Sequence, residues 1–158
     1  MDNITGKNAE LMSSDTEKKV AVKADLINTA NLLMAHQYEL GALVDSNSSI
    51  LIVADNISKL PDIKTSADYL VNAQNMVKEF ELDIEYIDEK IEKELINGVD
   101  FYKMKIVINY MGFKVNQVYY STISKEFSLY ILITFINEAQ QQELLNCVHS
   151  IKFLKHKK

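Results

Sequence analysis

The Asn97-Gly98 pair constrains this chain more than any other feature, because it stands between two runs that match each other once the chain is folded back about it. Both central positions of a type I′ turn need positive φ, and Asn-Gly meets that need at little cost. Pairing outward from the turn sets Lys93 opposite Tyr102, Ile91 opposite Met104 and Ile87 opposite Ile108 on one face. On the other face Glu92 meets Lys103 and Asp88 lies diagonal to Lys105, with Lys90 opposite Lys105 as the one misfit. Apolar meets apolar, as cross-strand pairing requires.

Met111-Gly112 continues the register, so that Tyr110 opposes Phe113, Ile108 opposes Val115 and Met104 opposes Tyr119. A further turn near Ser124-Lys125 brings Tyr130, Leu132 and Ile136 onto the same face. Leu129, Ile131, Ile133 and Phe135 then fall on the reverse, beside Val118 and Tyr120. A strand apolar on both sides needs cover on both sides. The expected fold class is therefore α+β, a three-layer α/β/α sandwich with a mainly antiparallel sheet.

The turn also settles a conflict upstream. Leu70, Ala73, Val77, Phe80, Ile84, Ile87 and Ile91 keep a heptad spacing that would extend one helix to about residue 95. The Asn-Gly pairing ends that helix near Phe80 and starts a strand near Ile84. The helix begins at Thr65, whose partner three residues on, Asp68, completes a capping box. Before it, Leu26, Ala30, Leu33 and Met34 recur at helical spacing and predict a short helix over 24–35 with a buried stripe. Alternation from Tyr38 through Leu40, Ala42 and Val44, a polar DSNSS turn and the run ILIVADNI then predict a hairpin. Asn137 caps a final helix whose stripe is Leu144, Leu145, Val148 and Ile151.

The 158-residue length is that of one domain. It divides into a polar lead at 1–19, a folded domain at 20–154 and a basic tail at 155–158. The lone cysteine, Cys147, rules out an intrachain disulfide. All 17 cationic residues are lysines, and without the guanidinium fork of arginine, specific nucleic-acid reading is not expected. The apolar run from Leu129 to Ile136 is far shorter than the roughly 20 residues of a membrane helix. The amino terminus has no apolar signal core, so the chain as given reads as cytoplasmic. A leader removed earlier would make it extracytoplasmic or a lipoprotein instead.

Little in the chain carries reactive chemistry. His36 at a strand start, His149 on the last helix and His156 in the tail lack the spacing of zinc ligands. Cys147 reads as a small apolar filler of the last helix rather than a nucleophile. Asn47-Ser48-Ser49 fits a glycosylation acceptor, a pattern too short to weigh. There is no phosphate loop and no serine-hydrolase motif. From Glu79 to Glu94 eight carboxylates face only Lys90 and Lys93. That run reads as a solvated sheet face, or as a patch that steers a basic partner. Tyr102, Tyr110, Tyr119, Tyr120 and Tyr130 form a tyrosine-rich region, and tyrosine suits interfaces because it buries area while keeping a polar tip.

The segment INGVDFYKMKIVINYMGFKVNQVYY, the Tyr-containing strand after it and the closing helix followed by SIKF resemble the PsbP superfamily. That group includes the oxygen-evolving-complex subunit PsbP, a nuclear Ran-binding relative and many uncharacterised bacterial proteins, several clostridial. The resemblance covers residues 24–154, and its motifs are strand and turn patterns rather than catalytic signatures. It implies a protein that binds other proteins rather than transforming a substrate; from the residues themselves no cofactor and no metal are expected. One departure stands out: family members open with a hairpin containing a Gly-Trp step, and this chain has no tryptophan. Lacking that hairpin leaves a sheet edge open to another chain, a homodimer included. The expected interface residues are Tyr102, Tyr119, Tyr120, Asp88, Glu92 and Glu94. The alternative expectation is a carrier of a small apolar ligand held between sheet and helix.

Overall fold

The structure is a computed structural model and describes residues 28–44 and 46–154. The lead at 1–19, the first residues of the expected 24–35 helix and the basic tail with His156 lie outside the described residues. Seven strands form one sheet: β1 (Thr29–His36), β2 (Ser49–Asn56), β3 (Ile84–Ile87), β4 (Glu92–Ile96), β5 (Val99–Tyr110), β6 (Phe113–Ser124) and β7 (Phe127–Phe135). Among the described residues two helices accompany it, α1 (Ser66–Glu79) after β2 and α2 (Glu138–Ser150) after β7. The strand order is β1-β2-β7-β6-β5-β3, with β4 also paired to β5, and the pairings are antiparallel. This is an α+β fold with a mainly antiparallel sheet.

The turns hold the register as their chemistry dictates. Asn97 and Gly98 have φ of 47° and 83°, and Met111 and Gly112 have 49° and 84°. Across β5 and β6, Tyr110 pairs with Phe113, Ile108 with Val115 and Met104 with Tyr119. Lys125, at φ 57°, turns the chain from β6 into β7. Successive residues of β6 then part company: Val118 and Tyr120 join the core of Ile131, Ile133, Phe135, Leu144 and Val148. Tyr119 joins the core of Leu70, Met104, Ile106 and Ile108. Each helix contributes to a different cluster, α1 through the fully buried Leu70 and α2 through Leu144 and Val148.

Both helix starts follow local rules. Thr65 and Asp68 form the reciprocal capping box of α1, which ends with Phe80 as its C-cap. Asn137 caps α2 by accepting from the Gln140 amide at 3.0 Å.

Five expectations need correction. The 24–35 helix is not formed over its described part, because residues 29–36 are strand β1, with Leu33 against Ile52 and Met34 against Leu51. Long-range pairing with the apolar β2 overrides a local spacing that fits a helix equally well. The expected buried stripe is accordingly open: Leu33 is 47% and Met34 64% exposed. Tyr38 to Val44 is not a strand but part of the connection between β1 and β2, turned by Gly41 at φ 90° and tied by the Tyr38 amide donating to Asn47 Oδ1 at 2.9 Å. His36 consequently ends a strand rather than beginning one, and Cys147 is exposed on α2 rather than filling the core.

The fifth correction concerns the strands joined at Asn97-Gly98. Near the Asn97-Gly98 turn the pairing is as expected, Glu92 with Lys103 and Lys93 with Tyr102. Beyond it, Ile87 faces Ile106 and not Ile108, an offset of two residues. Residues 88–91 absorb the offset, and Asp88 instead of Lys90 comes to lie against Lys105. The electrostatic misfit of the simple register disappears. Ile91 still packs on the cluster that contains Met104.

Candidate functional site

The six residues expected at an interface do not make one surface. Tyr119 and Tyr120 are only 6% and 2% exposed and sit in separate core clusters. Burial pushes both hydroxyls up to about 12 in pKa, with the Glu94 charge adding to the effect at Tyr120. Neither offers side-chain surface to a partner. Tyr102 is half-buried against the α1-side cluster.

The carboxylates do gather at the β3–β4 edge, and the three expected at an interface, Asp88, Glu92 and Glu94, each already have an internal contact. Asp88 accepts from the Lys105 amide at 2.7 Å and from the Tyr86 hydroxyl at 2.7 Å. Lys103 Nζ lies 2.9 Å from Glu94 and 3.9 Å from Glu92. His149 Nε2 lies 2.9 Å from the other oxygen of Glu94. Burial alone would raise the Glu94 carboxyl, yet the His149 and Lys103 contacts outweigh it and hold the group below its ordinary value. These groups anchor β4 to β5 and to α2.

The opposite edge of the sheet is different in kind. β1 has β2 on one side and no strand on the other among the described residues. Its residues, TANLLMAH, include no lysine and no carboxylate. Leu32, Leu33 and Met34 stand 58%, 47% and 64% exposed, and the following connection exposes Leu40 and Leu43 more fully still. The register slips between Asn31 and Leu33, a bulge that leaves Leu32 without a partner in the β1–β2 ladder. The helical spacing of Leu33 and Met34 hides this apolar edge in the sequence, because it predicts a buried helix face for both. The available signal was the lack of any charged residue between Asn28 and Gln37.

A cleft of about 370 Å³ opens between α1 and the sheet. Leu60, Met76, Val77, Phe80 and Tyr130 line it, and Asp55, Tyr69 and Asn72 supply polar groups. Asp55 binds three elements together: it accepts from Thr29 Oγ1 of β1 at 2.6 Å and from the Tyr69 hydroxyl of α1. Tyr69 and Tyr130 meet edge to face at 5.9 Å between ring centroids. Among the described residues no three His, Cys, Asp or Glu side chains are grouped to hold a metal ion, and no helix is long and apolar enough to cross a membrane.

No family model matches the chain, and no curated protein matches it. Among solved structures it is similar to PA94, a protein of unknown function from Pseudomonas aeruginosa. That likeness has a TM-score of 0.53 at 12% identity and covers 78% of this chain and 84% of the other. It is a likeness of fold alone.

Proposed function

We propose that the protein is a non-enzymatic protein-binding module of PsbP-like, three-layer α/β/α organisation that takes its partner along the outer edge of β1. The layering reading is supported by the split of Val118, Tyr119 and Tyr120 between two clusters, one completed by α1 and the other by α2. The binding reading rests on the exposed apolar run Leu32, Leu33 and Met34 on an uncharged edge strand. An extended segment added there gains main-chain hydrogen bonds from the strand and buries these side chains. The acidic β3–β4 edge is the poorer docking surface, because Asp88 and Glu94 are spent on internal contacts.

The test is affinity capture from the source cell with the wild-type chain and with Leu33→Lys, followed by hydrogen exchange on the recovered complex. A partner lost on substitution, and slowed exchange in β1, support the reading. The same proteins recovered by both chains would sink it.

A second reading, a carrier of a small apolar ligand, is favoured by the cleft between α1 and the sheet, whose volume falls within the roughly 300–1,000 Å³ of ligand pockets. Native mass spectrometry should then find a co-purified small molecule that Ala73→Phe, which fills the cleft, excludes. Apo protein in both samples removes this reading.

A further inference from the structure

We infer that the outer edge of β1 pairs antiparallel with β1 of a second copy of this chain, joining two seven-stranded sheets into one. The inference rests on the proposed use of this edge for binding, and it names the occupant.

Charge selects the second copy. In a two-fold antiparallel pairing every side chain of the edge lies close to the same segment of its copy, so a charged edge meets its own sign. The β3–β4 edge carries more carboxylates than lysines, with Glu89 among them and Glu85 held by Lys114, so two copies would meet there with an excess of like charge. β1 carries no lysine and no carboxylate, so two copies meet there without like-charge repulsion although the whole chain has a net charge of −5. Natural edge strands are blunted with lysine, proline or inward-pointing charge. β1 has none of these; the bulge at Leu32, a feature that can itself twist an edge away, leaves that leucine 58% exposed.

Area supports the same occupant. Leu32, Leu33, Met34, Tyr38, Leu40 and Leu43 are between 46% and 104% exposed. Together they expose on the order of 700 Å² on the strand and the connection that follows it, close to the ~800 Å² that each partner contributes to a standard interface. Two-fold pairing also closes at the dimer and leaves the acidic edges pointing outward.

The test is sedimentation of the full chain over a range of concentrations, with hydrogen exchange of the β1 amides at the lowest and highest. The expected result is a mass that rises from monomer to dimer, with β1 protection rising in step. Leu33→Lys should raise the dissociation constant at least tenfold while far-ultraviolet circular dichroism stays unchanged, and mixing Leu33→Lys with Leu33→Glu chains should restore a dimer. That restoration separates lost pairing from lost folding. A monomer at every concentration, a dimer indifferent to Leu33→Lys, or β1 protection independent of concentration would overturn the inference. A monomer that still captures another protein through a Leu33-sensitive contact refutes the second copy and keeps the binding reading; one that captures nothing refutes both.

Discussion

Asp88 and Lys105 are joined twice: the Asp88 amide donates to the Lys105 carbonyl at 2.9 Å, and the Lys105 amide donates to Asp88 Oδ2 at 2.7 Å. The side-chain oxygen takes the place of a main-chain acceptor just where β3 ends and the register against β5 changes. Removing it leaves the partly buried Lys105 amide and the Tyr86 hydroxyl without this acceptor. Asp88→Ala should therefore cost about 1–3 kcal/mol in urea unfolding. Asp88→Asn, which keeps an acceptor oxygen, should recover much of that. Lys105→Ala should change stability by no more than about 0.5 kcal/mol, since the contact uses only the Lys105 backbone.

Asn97 does two jobs that substitution can separate. Its backbone takes the positive φ of the turn, and its side-chain Nδ2 donates to the carbonyls of His149 and Ile151 at 2.6 and 2.7 Å, closing the end of α2. Asn97→Gly keeps the turn and loses the two bonds, for an expected cost of about 1–2 kcal/mol. Asn97→Ala loses both functions and should cost about 1 kcal/mol more, the penalty of a left-handed conformation for an ordinary residue. Equal costs for the two variants would show that the turn geometry contributes nothing of its own.

How far the fold was legible depended on whether a decision was local. The β4–β6 register could be read because Asn97-Gly98 and Met111-Gly112 pin it with backbone conformations that few residues adopt. The caps at Thr65 and Asn137 were legible because their partners lie three residues away. β1 was not legible, since Ala30, Leu33 and Met34 suit a helix and their pairing with β2 is settled by residues some twenty positions on. The β3 offset turned on a side chain replacing a main-chain acceptor, which no spacing encodes. At the candidate site, residue type alone points to Tyr119 and Tyr120 as interface residues. The alternation that set them on opposite faces of a sheet covered on both sides already implied their burial.

Those buried tyrosines make stability sensitive to alkali. Burial pushes Tyr119 and Tyr120 up to about 12, and Tyr130 well above its ordinary value, for the same reason. An acid whose folded pKa is raised contributes stability that is complete below the unfolded value near 10 and is lost as pH climbs toward the folded value. The chain should hold its urea midpoint up to about pH 10 and lose it steeply between there and about pH 12. Spectrophotometric titration should show the tyrosinates of Tyr119, Tyr120 and Tyr130 appearing together with unfolding. A single smooth titration of all eight tyrosines, with no loss of structure, would contradict the packing described.

Acid should act at the other end of the scale through Glu94. Its carboxylate is shared between Lys103 on β5 and His149 on α2, with the Tyr120 ring close by and Glu92 on the same lysine. Because its folded pKa is held below the ordinary carboxylate value, the stabilisation is present above about pH 4.3, the unfolded value, and disappears as pH falls through the lower folded one. Glu94→Gln should be less stable than wild type near neutrality and should approach it under acid conditions, so the two curves of stability against pH converge at low pH. His149→Ala removes one of the two partners and should leave a smaller acid-dependent loss than wild type shows, with Lys103 still in place. A Glu94→Gln curve that stays parallel to wild type down to about pH 3 would mean that the carboxylate's charge plays no part in holding β4 to α2.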